Sequence, residues 1–485
     1  MPLAVALWHV KIMMILWGYG AVLSYVALLL CLTEVVFSRI MSHEVCRKTL
    51  HIGTFFTLPI ARYFFRDEYI HLTVISVLFV AITLVMHRKR SRFTVDLREK
   101  HYPGIVYYAI SFVTVTLAIQ VFSLGWIYLY PPMLALCFGD GFATLIGHHV
   151  SSYRIYRKKT LIGFLSCIGF TSFSMVLVQL LTEWYFSWYH ILLLSLLAAI
   201  AELVDFGLDN LFIPFSVLAA SVLMMKVEGV TAALLVFESV FLIAFFSRLI
   251  TYAGSLLAGL IGAMFYYWHT LTGFLFVIFC YAVMVTVSLI SKRLKRDVSD
   301  VVKKTRGKDI TEVFVNGFGA MLATLLYAIT EHEEFHAIAL LTLAAGFVDS
   351  LASDIGTLSR ATPFDPFKGK RVARGMSGGM TLLGSLASLV GAIVFSVCIV
   401  WILELSFLRF TVIAALLYFG SLFDTFLGSW LQVKYNCPIC HKKTERQEHC
   451  GTETVKIAGV SWINNDTVNL LSNTAVFLLS LLLFL

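Results

Sequence analysis

Charged residues are scarce in this sequence. Only 14% of its 485 residues are Asp, Glu, Lys or Arg, whereas 59% are hydrophobic and the mean hydropathy is +0.85. Soluble globular domains carry about 25% charged residues, so a soluble protein is excluded. The apolar runs, such as 22–37, 161–181 and 382–402, are continuous and lack the alternation of a membrane β-barrel. Because about 20 apolar residues cross a bilayer as a helix, we predict an all-α polytopic integral membrane protein.

A cleavage site of small residues is also missing after the first apolar stretch. The N-terminal segment is therefore predicted to be a retained helix and not a signal peptide.

Three of the nine cysteines lie close together near residue 440. The other six are scattered in or near apolar segments and are interpreted as small core residues: Cys31, Cys46, Cys137, Cys167, Cys280 and Cys398.

The formal net charge of +8 is unevenly distributed along the chain. By the positive-inside rule, loops rich in Lys and Arg are cytosolic. Counting spans between these loops predicts about 14–16 transmembrane helices, in two halves at 1–245 and 246–485, with both chain ends outside the cytosol. The basic clusters occupy residues 39–48, 87–100, 154–159, 292–308, 368–374 and 434–446.

One short sequence occurs twice. FGDGFATLIG at 138–147 and FVDSLASDIG at 347–356 share Phe, Asp, Ala, Ile and Gly in register. The predicted topology puts Asp140 and Asp349 at the cytosolic ends of their spans, and a basic loop follows each. Because acidic residues at membrane depth are costly and are usually kept for function, we predict two related sites that face the cytosol.

The surroundings of Asp140 suit phosphate chemistry. Gly139 and Gly141 let a backbone approach a phosphate chain, and the carboxylate can hold Mg²⁺. Lys159 and Thr160 follow in the next loop and can contact phosphate oxygens. Phosphoryl transfer needs this set of groups. Helix packing is the alternative explanation for the two glycines.

Two further segments lie on the same predicted side. RKTLHIG opens the second span, and it is either a topogenic anchor or a phosphate-binding element in which a histidine acts as a base. An acidic segment on the basic side of the membrane predicts cation binding. The first segment contains Arg47, Lys48 and His51, and the second contains Glu202, Asp209 and Asn210.

Four segments within residues 40–225 carry a family resemblance: RKTLHIG, FGDGFATLIG, KKTLIG and AELVDFGLDNLFIP. Together they resemble the membrane-embedded phytol and dolichol kinases, which phosphorylate isoprenoid alcohols with a nucleotide, CTP in the best-known members. The resemblance implies that Asp140 and Asp209 belong to a metal and nucleotide site, and that Lys159 and Arg47 contact phosphate. One position departs from the family, because Ile162 stands where a Glu usually precedes the glycine.

The second half contains polar segments of its own on one predicted side. They read RGKDITEVFVNG, GFVDSLASDIG, KRVARGMSGGMTLLGSLAS, FDTFLGSWLQ and NNDTVN. The basic, glycine-rich connection at 370–379 enters a helix, an arrangement that offers backbone N–H groups to an anion. Walker spacing is missing, so a P-loop is excluded. A flexible basic loop is the alternative.

The pattern D-x-x-A-S-(D/E)-x-G followed by G-x-S-G-G resembles the membrane family that includes plant phytyl-phosphate kinase. The resemblance implies an isoprenyl monophosphate as substrate and its diphosphate as product. By position, Asp349, Asp354 and Asp424 are interpreted as Mg²⁺ ligands. We expect phosphate contacts from Lys370, Arg374, Ser377, Gly378 and Gly379, and supporting or base-recognition roles from Asn316, Asn465, Asp466 and Asn469.

A loop at 434–455, here called the Cys/His loop, contains CPICHKKTERQEHC. Its C-x-x-C pair and later His-Cys pair predict a structural zinc site, and the predicted cytosolic side argues against a disulfide. The ligands would be Cys437, Cys440, His449 and Cys450. Since the adjacent His449 and Cys450 do not easily face one metal, an isolated thiol pair is the alternative.

Several classes of function remain open on the sequence. The favoured one is a bifunctional membrane kinase that uses CTP or another nucleotide with Mg²⁺ to phosphorylate an isoprenoid alcohol and then its monophosphate. A CTP-dependent cytidylyltransferase acting on a phospholipid would need similar carboxylates, but its H-G-G and D-R-x-D segments are missing. Secondary transporters also have duplicated halves, and a scaffold is a further alternative. A lipid substrate and the membrane are the expected partners, with no nucleic acid, and the oligomeric state is not predicted.

Overall fold

The structure, a computed structural model, describes residues 2–485 apart from 67, 89–103, 151, 158, 183–184, 204–208 and 295–306. Most of the basic clusters at 87–100 and 292–308 thus lies outside the described residues. The chain divides into two compact units, Met1–Thr231 and Ala232–Leu485. The predicted boundary at 245/246 lies at the end of the helix Val230–Phe246, and the structural division lies at its start.

The first unit is built from helices and one small hairpin. Its helices are α1 (Pro2–Cys31), α2 (Ser38–Ile40), α3 (His43–Thr54), α4 (Thr57–Phe65), α5 (Tyr69–Arg88), α6 (Gly104–Val121), α7 (Trp126–Leu134), α8 (Gly141–His149), α9 (Leu161–Leu181), α10 (Trp188–Glu202) and α11 (Asp209–Lys226). π-Helical turns occupy Leu32–Phe37 and Ala135–Asp140, and the antiparallel strands β1 (Arg154–Tyr156) and β2 (Lys159–Thr160) precede α9.

The second unit is a helix bundle with short strands in its connections. Its helices are α12 (Val230–Phe246), α13 (Tyr252–Leu294), α14 (Ile310–Thr330), α15 (Glu334–Gly356), α16 (Leu382–Leu403), α17 (Phe407–Trp430) and α18 (Asn465–Phe484). β3 (Phe364–Asp365) pairs with β4 (Lys370–Arg371). Between α17 and α18 lie β5 (Lys434–Asn436), β6 (Lys443–Thr444), β7 (Glu448–His449), β8 (Thr452–Glu453) and β9 (Val455–Ala458).

Ten helices of the described chain are long and apolar enough to cross a membrane. One of them, Tyr252–Ser291, is broken at Thr270, where φ is +62°, so it offers two spans. Four shorter apolar helices add to these: Tyr69–Val85, Val106–Val121, Trp188–Glu202 and Val230–Phe246. The predicted all-α membrane class is confirmed. The predicted count of about 14–16 spans is reached when the broken helix counts twice and the shorter helices are included.

Each copy of the repeated decamer lies in the most enclosed of the membrane-length helices described in its unit. The most apolar windows of Trp126–His149 and Glu334–Gly356 are both 72% buried. α15 packs against α13, α14, α16, α17 and α18, whereas the helix through the first decamer packs against α3, α9, α10 and α11. Neighbouring helices therefore shield both acidic positions from lipid, which would penalise a polar side chain.

In the first unit, the decamer is joined to the next helix by a hydroxyl cap. Thr160 accepts a hydrogen bond from the Gly163 N–H at 3.2 Å and donates one to the Gly147 carbonyl at 3.4 Å. A Cβ atom at Gly163 would lie 3.1 Å from the carbonyl oxygen of Ala143. The start of α9 therefore approaches α8 closely, because Gly163 has no side chain.

The second unit repeats this junction. Thr381 accepts from the Gly384 N–H at 3.1 Å and donates to the Gly356 carbonyl at 3.3 Å. A Cβ atom at Gly384 would lie 3.0 Å from the carbonyl oxygen of Ala352. The likeness between the two decamers thus extends to the cap and first turn of the following helix.

Candidate functional site

The polar centre of the first unit is a buried ion pair. Lys48 Nζ lies 2.6 Å from Asp140 Oδ2, and the two side chains are 4% and 1% exposed. Lys48 comes from α3, and Asp140 ends the π-helical turn between α7 and α8. Such turns are frequent at functional sites. The predicted metal and phosphate groups are thus in direct contact, and Asp140 Oδ1 has no hydrogen-bond partner among the described residues.

A second lysine contacts the other two predicted metal-binding carboxylates of this unit. Lys159 Nζ lies 2.5 Å from Glu202 Oε1 and 3.7 Å from Asp209 Oδ2. Burial alone would lower the pKa of Lys159, but the carboxylates of Glu202, Asp209 and Asp140 outweigh burial and raise its pKa. Lys159 is therefore a fixed positive charge among the three carboxylates that the sequence predicted as Mg²⁺ ligands.

His51 lies one turn after Lys48 on α3 and is fully buried. Its ring stacks on Tyr108 with centroids 3.9 Å apart. Within the described part of the chain, neither ring nitrogen has a hydrogen-bond partner. Lys48, Arg47 and Asp140 all interact electrostatically with His51. The histidine predicted as a base is thus buried near the Lys48–Asp140 pair.

The remaining predicted residues of the first unit have mainly structural contacts. Gly139 and Gly141 are buried, and Cβ atoms there would strike Thr171 and Ile52, respectively, so both glycines permit helix packing. The Thr160 hydroxyl caps the N-terminus of α9. Arg47 is half-buried on α3, and Asn210 is buried where α11 begins, with its N–H donating to Asp209 Oδ1 at 3.0 Å.

The second unit encloses a cavity of about 360 Å³ at one end of the bundle. The C-terminal ends of α15 and α17 meet the N-terminal ends of α14, α16 and α18 there. Three helix N-termini favour negative charge in the cavity through their dipoles and N–H groups. Its lining includes the predicted residues Asn316, Asp349, Asp354, Arg374, Ser377, Gly378, Gly379, Asp424, Asn465, Asp466 and Asn469.

Three carboxylates of the cavity have distinct surroundings. Asp354 Oδ2 accepts a hydrogen bond of 2.5 Å from the hydroxyl of Ser288. Asp349 interacts with Lys308 and with a serine hydroxyl of α17. Asp424 is close enough to Asp349 for the two carboxylates to repel each other. A cation would relieve this repulsion, and oxygen ligands of this kind are the ones that Mg²⁺ uses.

A glycine-rich loop, residues 374–379, closes one side of the cavity. The Ser377 N–H donates to Glu445 Oε1 at 2.7 Å, and the Ser377 carbonyl accepts from Lys434 Nζ at 3.0 Å. Gly378 has φ of +83°, and a Cβ atom there would lie 2.5 Å from Ser429 Cα. Arg374 donates to the Arg360 carbonyl. The loop is therefore held in one conformation by its neighbours.

Lys370 is the one predicted phosphate contact of this half that does not line the cavity. It lies in β4, where it pairs with Asp365 of β3, and it is exposed. The hairpin is anchored elsewhere, because the Asp365 carboxylate accepts a 2.7 Å hydrogen bond from Ser429. The structure thus places Lys370 on the outer side of the connection.

Three charged residues of the cavity lining were missed by the sequence interpretation: Lys308, Glu312 and Glu445. Lys308 Nζ donates to Ser350 Oγ at 2.9 Å and interacts with Asp349. Lys308 and Glu312 lie in the segment RGKDITEVFVNG, shortly before Asn316. Their charges in a segment already assigned to the polar side could have identified them as site residues. The sequence around Glu445 did not indicate a place in the cavity, because that place depends on how the Cys/His loop packs against the glycine-rich loop. Burial raises the pKa of Glu445.

An apolar cleft of about 80 Å³ adjoins the polar cavity. The two share Lys308, Asn316 and Ser350 in their linings. The rest of the cleft comes mainly from apolar side chains of α12, α13, α14 and α15, including Ala258, Ile261, Val277, Met284, Leu343 and Phe347. A ligand that occupied both spaces would therefore have a polar head and an apolar tail.

The predicted zinc ligands lie together. Ligand atoms of Cys437, Cys440, His449 and Cys450 are all within 4.8 Å of one another. Cys440 Sγ and Cys450 Sγ lie 3.4 Å and 3.2 Å from His449 Nδ1. The cluster belongs to the same connection that supplies Lys434 and Glu445 to the glycine-rich loop.

The fold and the enclosed polar sites define a multi-pass integral membrane protein. A family profile described as integral membrane protein DUF92 matches residues 234–477, just over half of the chain, and the protein belongs to this family. The matched region lies within the second unit and includes its whole polar cavity. No curated protein and no solved structure matches the chain.

Proposed function

We propose that the protein is a bifunctional membrane phosphotransferase. In this proposal the first unit phosphorylates an isoprenoid alcohol, and the second converts the resulting isoprenyl monophosphate into the diphosphate. The phosphate donor is CTP or another nucleoside triphosphate with Mg²⁺. The observation that carries the proposal is the polar cavity of the second unit with an apolar cleft beside it.

The polar cavity has the groups that hold phosphates. Lys308 and Arg374 supply positive charge, and the glycine-rich loop and three helix N-termini supply N–H donors. Catalysis of phosphoryl transfer consists mostly of positioning and of charge stabilisation. In the second unit the terminal phosphoryl group of the nucleotide would pass to a phosphate oxygen of the lipid. One P–O bond breaks, another forms, and a nucleoside diphosphate leaves.

The carboxylates of the cavity fit a divalent cation. Asp349 and Asp424 repel each other, and Asp354 lies in the same lining. We assign these three side chains to Mg²⁺, which when bound would neutralise charge on the nucleotide phosphates. Asn316, Asn465 and Asn469 offer amide groups to the donor or to the bound cation.

The apolar cleft supports a lipid acceptor. Its walls are almost entirely aliphatic or aromatic, and Lys308 stands at the point where it meets the polar cavity. A prenyl chain in the cleft would place its phosphate beside Lys308. A water-soluble phosphate acceptor has no apolar tail to occupy the cleft.

The first unit has polar groups that suit phosphorylation of an alcohol. Asp140, Glu202 and Asp209 supply oxygen ligands around Lys48 and Lys159. An alcohol must lose its proton when it is phosphorylated. His51 would accept that proton, since its ring nitrogens have no partner among the described residues and it lies beside Asp140.

The test is phosphate transfer by the purified full-length protein in lipid nanodiscs. With Mg²⁺ and CTP labelled on its terminal phosphate, we expect label in a prenyl diphosphate when a prenyl monophosphate is supplied. A prenol should yield labelled monophosphate first. Chelation of Mg²⁺ should stop both reactions. Absence of transfer to every prenol and prenyl phosphate, with all four common nucleoside triphosphates, would refute the proposal.

A further inference from the structure

The Cys/His loop folds as two tight turns with metal-ligand side chains. The first turn joins β5 to β6, where the Cys437 N–H donates to the Lys442 carbonyl and the His441 N–H donates to the Cys437 carbonyl, both at 3.0 Å. The second turn joins β7 to β8 through Cys450 and Gly451. Each turn presents two ligands, so the four come from both sides of one small space.

Backbone conformation explains how two adjacent residues face the same point. Cys450 has φ of +53°, and Gly451 has φ of +72°. This left-handed turn redirects the chain directly after His449, so that His449 Nδ1 and Cys450 Sγ lie 3.2 Å apart. The sequence suggested that the adjacent His449 and Cys450 do not easily face one metal. The left-handed turn at Cys450 allows them to do so.

The four ligand atoms are grouped closely enough for a closed tetrahedral site. With Zn–S of about 2.3 Å and Zn–N of about 2.1 Å, ligand atoms around tetrahedral zinc lie roughly 3.5–3.8 Å apart. His449 Nδ1 lies 3.4 Å from Cys440 Sγ and 3.2 Å from Cys450 Sγ, and all four ligand atoms lie within 4.8 Å of one another. Three thiolates and one imidazole leave no open position, which is the arrangement of structural rather than catalytic zinc.

We propose that these four side chains hold one structural Zn²⁺ and that the metal positions the glycine-rich loop of the polar cavity. The strands of the Cys/His loop are two or three residues long, and elements this small usually need a metal or a disulfide to stay folded. The three cysteines of the cluster are free thiols in the structure.

The connection to the cavity is made at Ser377. Glu445 accepts from its N–H at 2.7 Å, and Lys434 donates to its carbonyl at 3.0 Å. The second oxygen of Glu445 accepts from Gln432 Nε2 at 2.9 Å, which fixes the carboxylate. Both backbone groups of Ser377 are thus held by the metal-bearing connection, and Ser377 lines the cavity.

The metal itself is tested by elemental analysis of the full-length protein purified without added metal. We expect about one zinc per chain, and His449→Asn should lose it. The matched control is His441→Asn, which changes a histidine of the same loop that is outside the cluster and should retain zinc. In the wild-type protein, Co²⁺ exchange should give the absorption of a tetrahedral thiolate site. Wild-type protein with neither zinc nor a cobalt spectrum would overturn the proposal.

Positioning is tested by hydrogen exchange of the amides in residues 374–381. His449→Asn should raise their exchange rates by about tenfold or more, whereas His441→Asn should leave them unchanged. Glu445→Gln should speed exchange at Ser377 and still retain zinc. Zinc loss without any change in this segment would refute the positioning role. Neither measurement depends on kinase activity, so the zinc site and the proposed function can fail separately.

Discussion

Thr381 occupies the same place in the second unit that Thr160 occupies in the first. Each hydroxyl caps the helix that follows the decamer and bonds to the glycine that ends the decamer. The two units thus present an acidic residue at equivalent points of a similar helix junction. Their partners differ, because Asp140 pairs with Lys48, whereas Asp349 has Lys308 and the repelling carboxylate of Asp424.

Separate chemistry at the two sites predicts separable activities. Asp140→Asn should lower phosphorylation of a prenol by at least about a hundredfold and leave phosphorylation of a supplied prenyl monophosphate near the wild-type rate. Asp349→Asn should do the reverse. Each variant serves as the control for the other, measured by labelled phosphate transfer. Loss of both activities in either variant would contradict two sites and indicate one composite site.

The buried Lys48–Asp140 pair predicts that removal of one partner destabilises the protein more than removal of both. Lys48→Met should destabilise the protein by about 3–5 kcal/mol, because it leaves the Asp140 carboxylate buried without the ammonium group that contacts it directly. The double variant Lys48→Met with Asp140→Leu should recover most of that loss. Thermal unfolding in detergent measures both.

Lys226→Met is the control for this measurement. Lys226 is exposed at the end of α11 and should change stability by less than about 0.5 kcal/mol. Equal destabilisation by Lys48→Met and by the double variant would show that the lost packing, and not the unpaired carboxylate, determines the effect.

The helix junctions predict that two glycines tolerate no side chain. Gly163→Ala and Gly384→Ala would each bring a Cβ atom within about 3 Å of a carbonyl oxygen, and each should cost roughly 1–3 kcal/mol. Gly169→Ala on α9 is the matched control, because nothing lies within 4 Å of its added Cβ. It should be neutral or stabilise by up to about 1 kcal/mol. Similar unfolding temperatures for all three variants would contradict this packing.

The membrane class and much of the second cavity could be predicted from the sequence for one physical reason. In an apolar chain, polar side chains stand out, and the spans restrict them to a few depths. Asp349, Asp354 and Asp424 were found in this way, and they line one cavity. The helix periodicity of the spans and the short connections bring such residues to one end of the bundle.

Contacts that depend on loop folding could not be predicted. Lys370 stands in the same basic segment as Arg374, yet the β3–β4 hairpin leaves it exposed outside the cavity. Glu445 reaches Ser377 only because the Cys/His loop returns to the bundle. The glycines beside Asp140 were interpreted as phosphate contacts, but their packing against α9 and α3 depends on helix neighbours that local sequence does not specify.

The apolar cleft predicts dependence on the length of the lipid chain. Ala258→Phe adds a ring to the wall of the cleft and should exclude the tail of a long prenyl phosphate. We expect KM for the long substrate to rise by about tenfold or more, equivalent to about 1.4 kcal/mol of binding, with kcat for a short prenyl phosphate unchanged. Ala282→Phe makes the same substitution at an exposed position of α13 and should alter neither value. Steady-state kinetics on both substrates separates the cases, since an equal loss for short and long chains would mean that the cleft does not hold the tail.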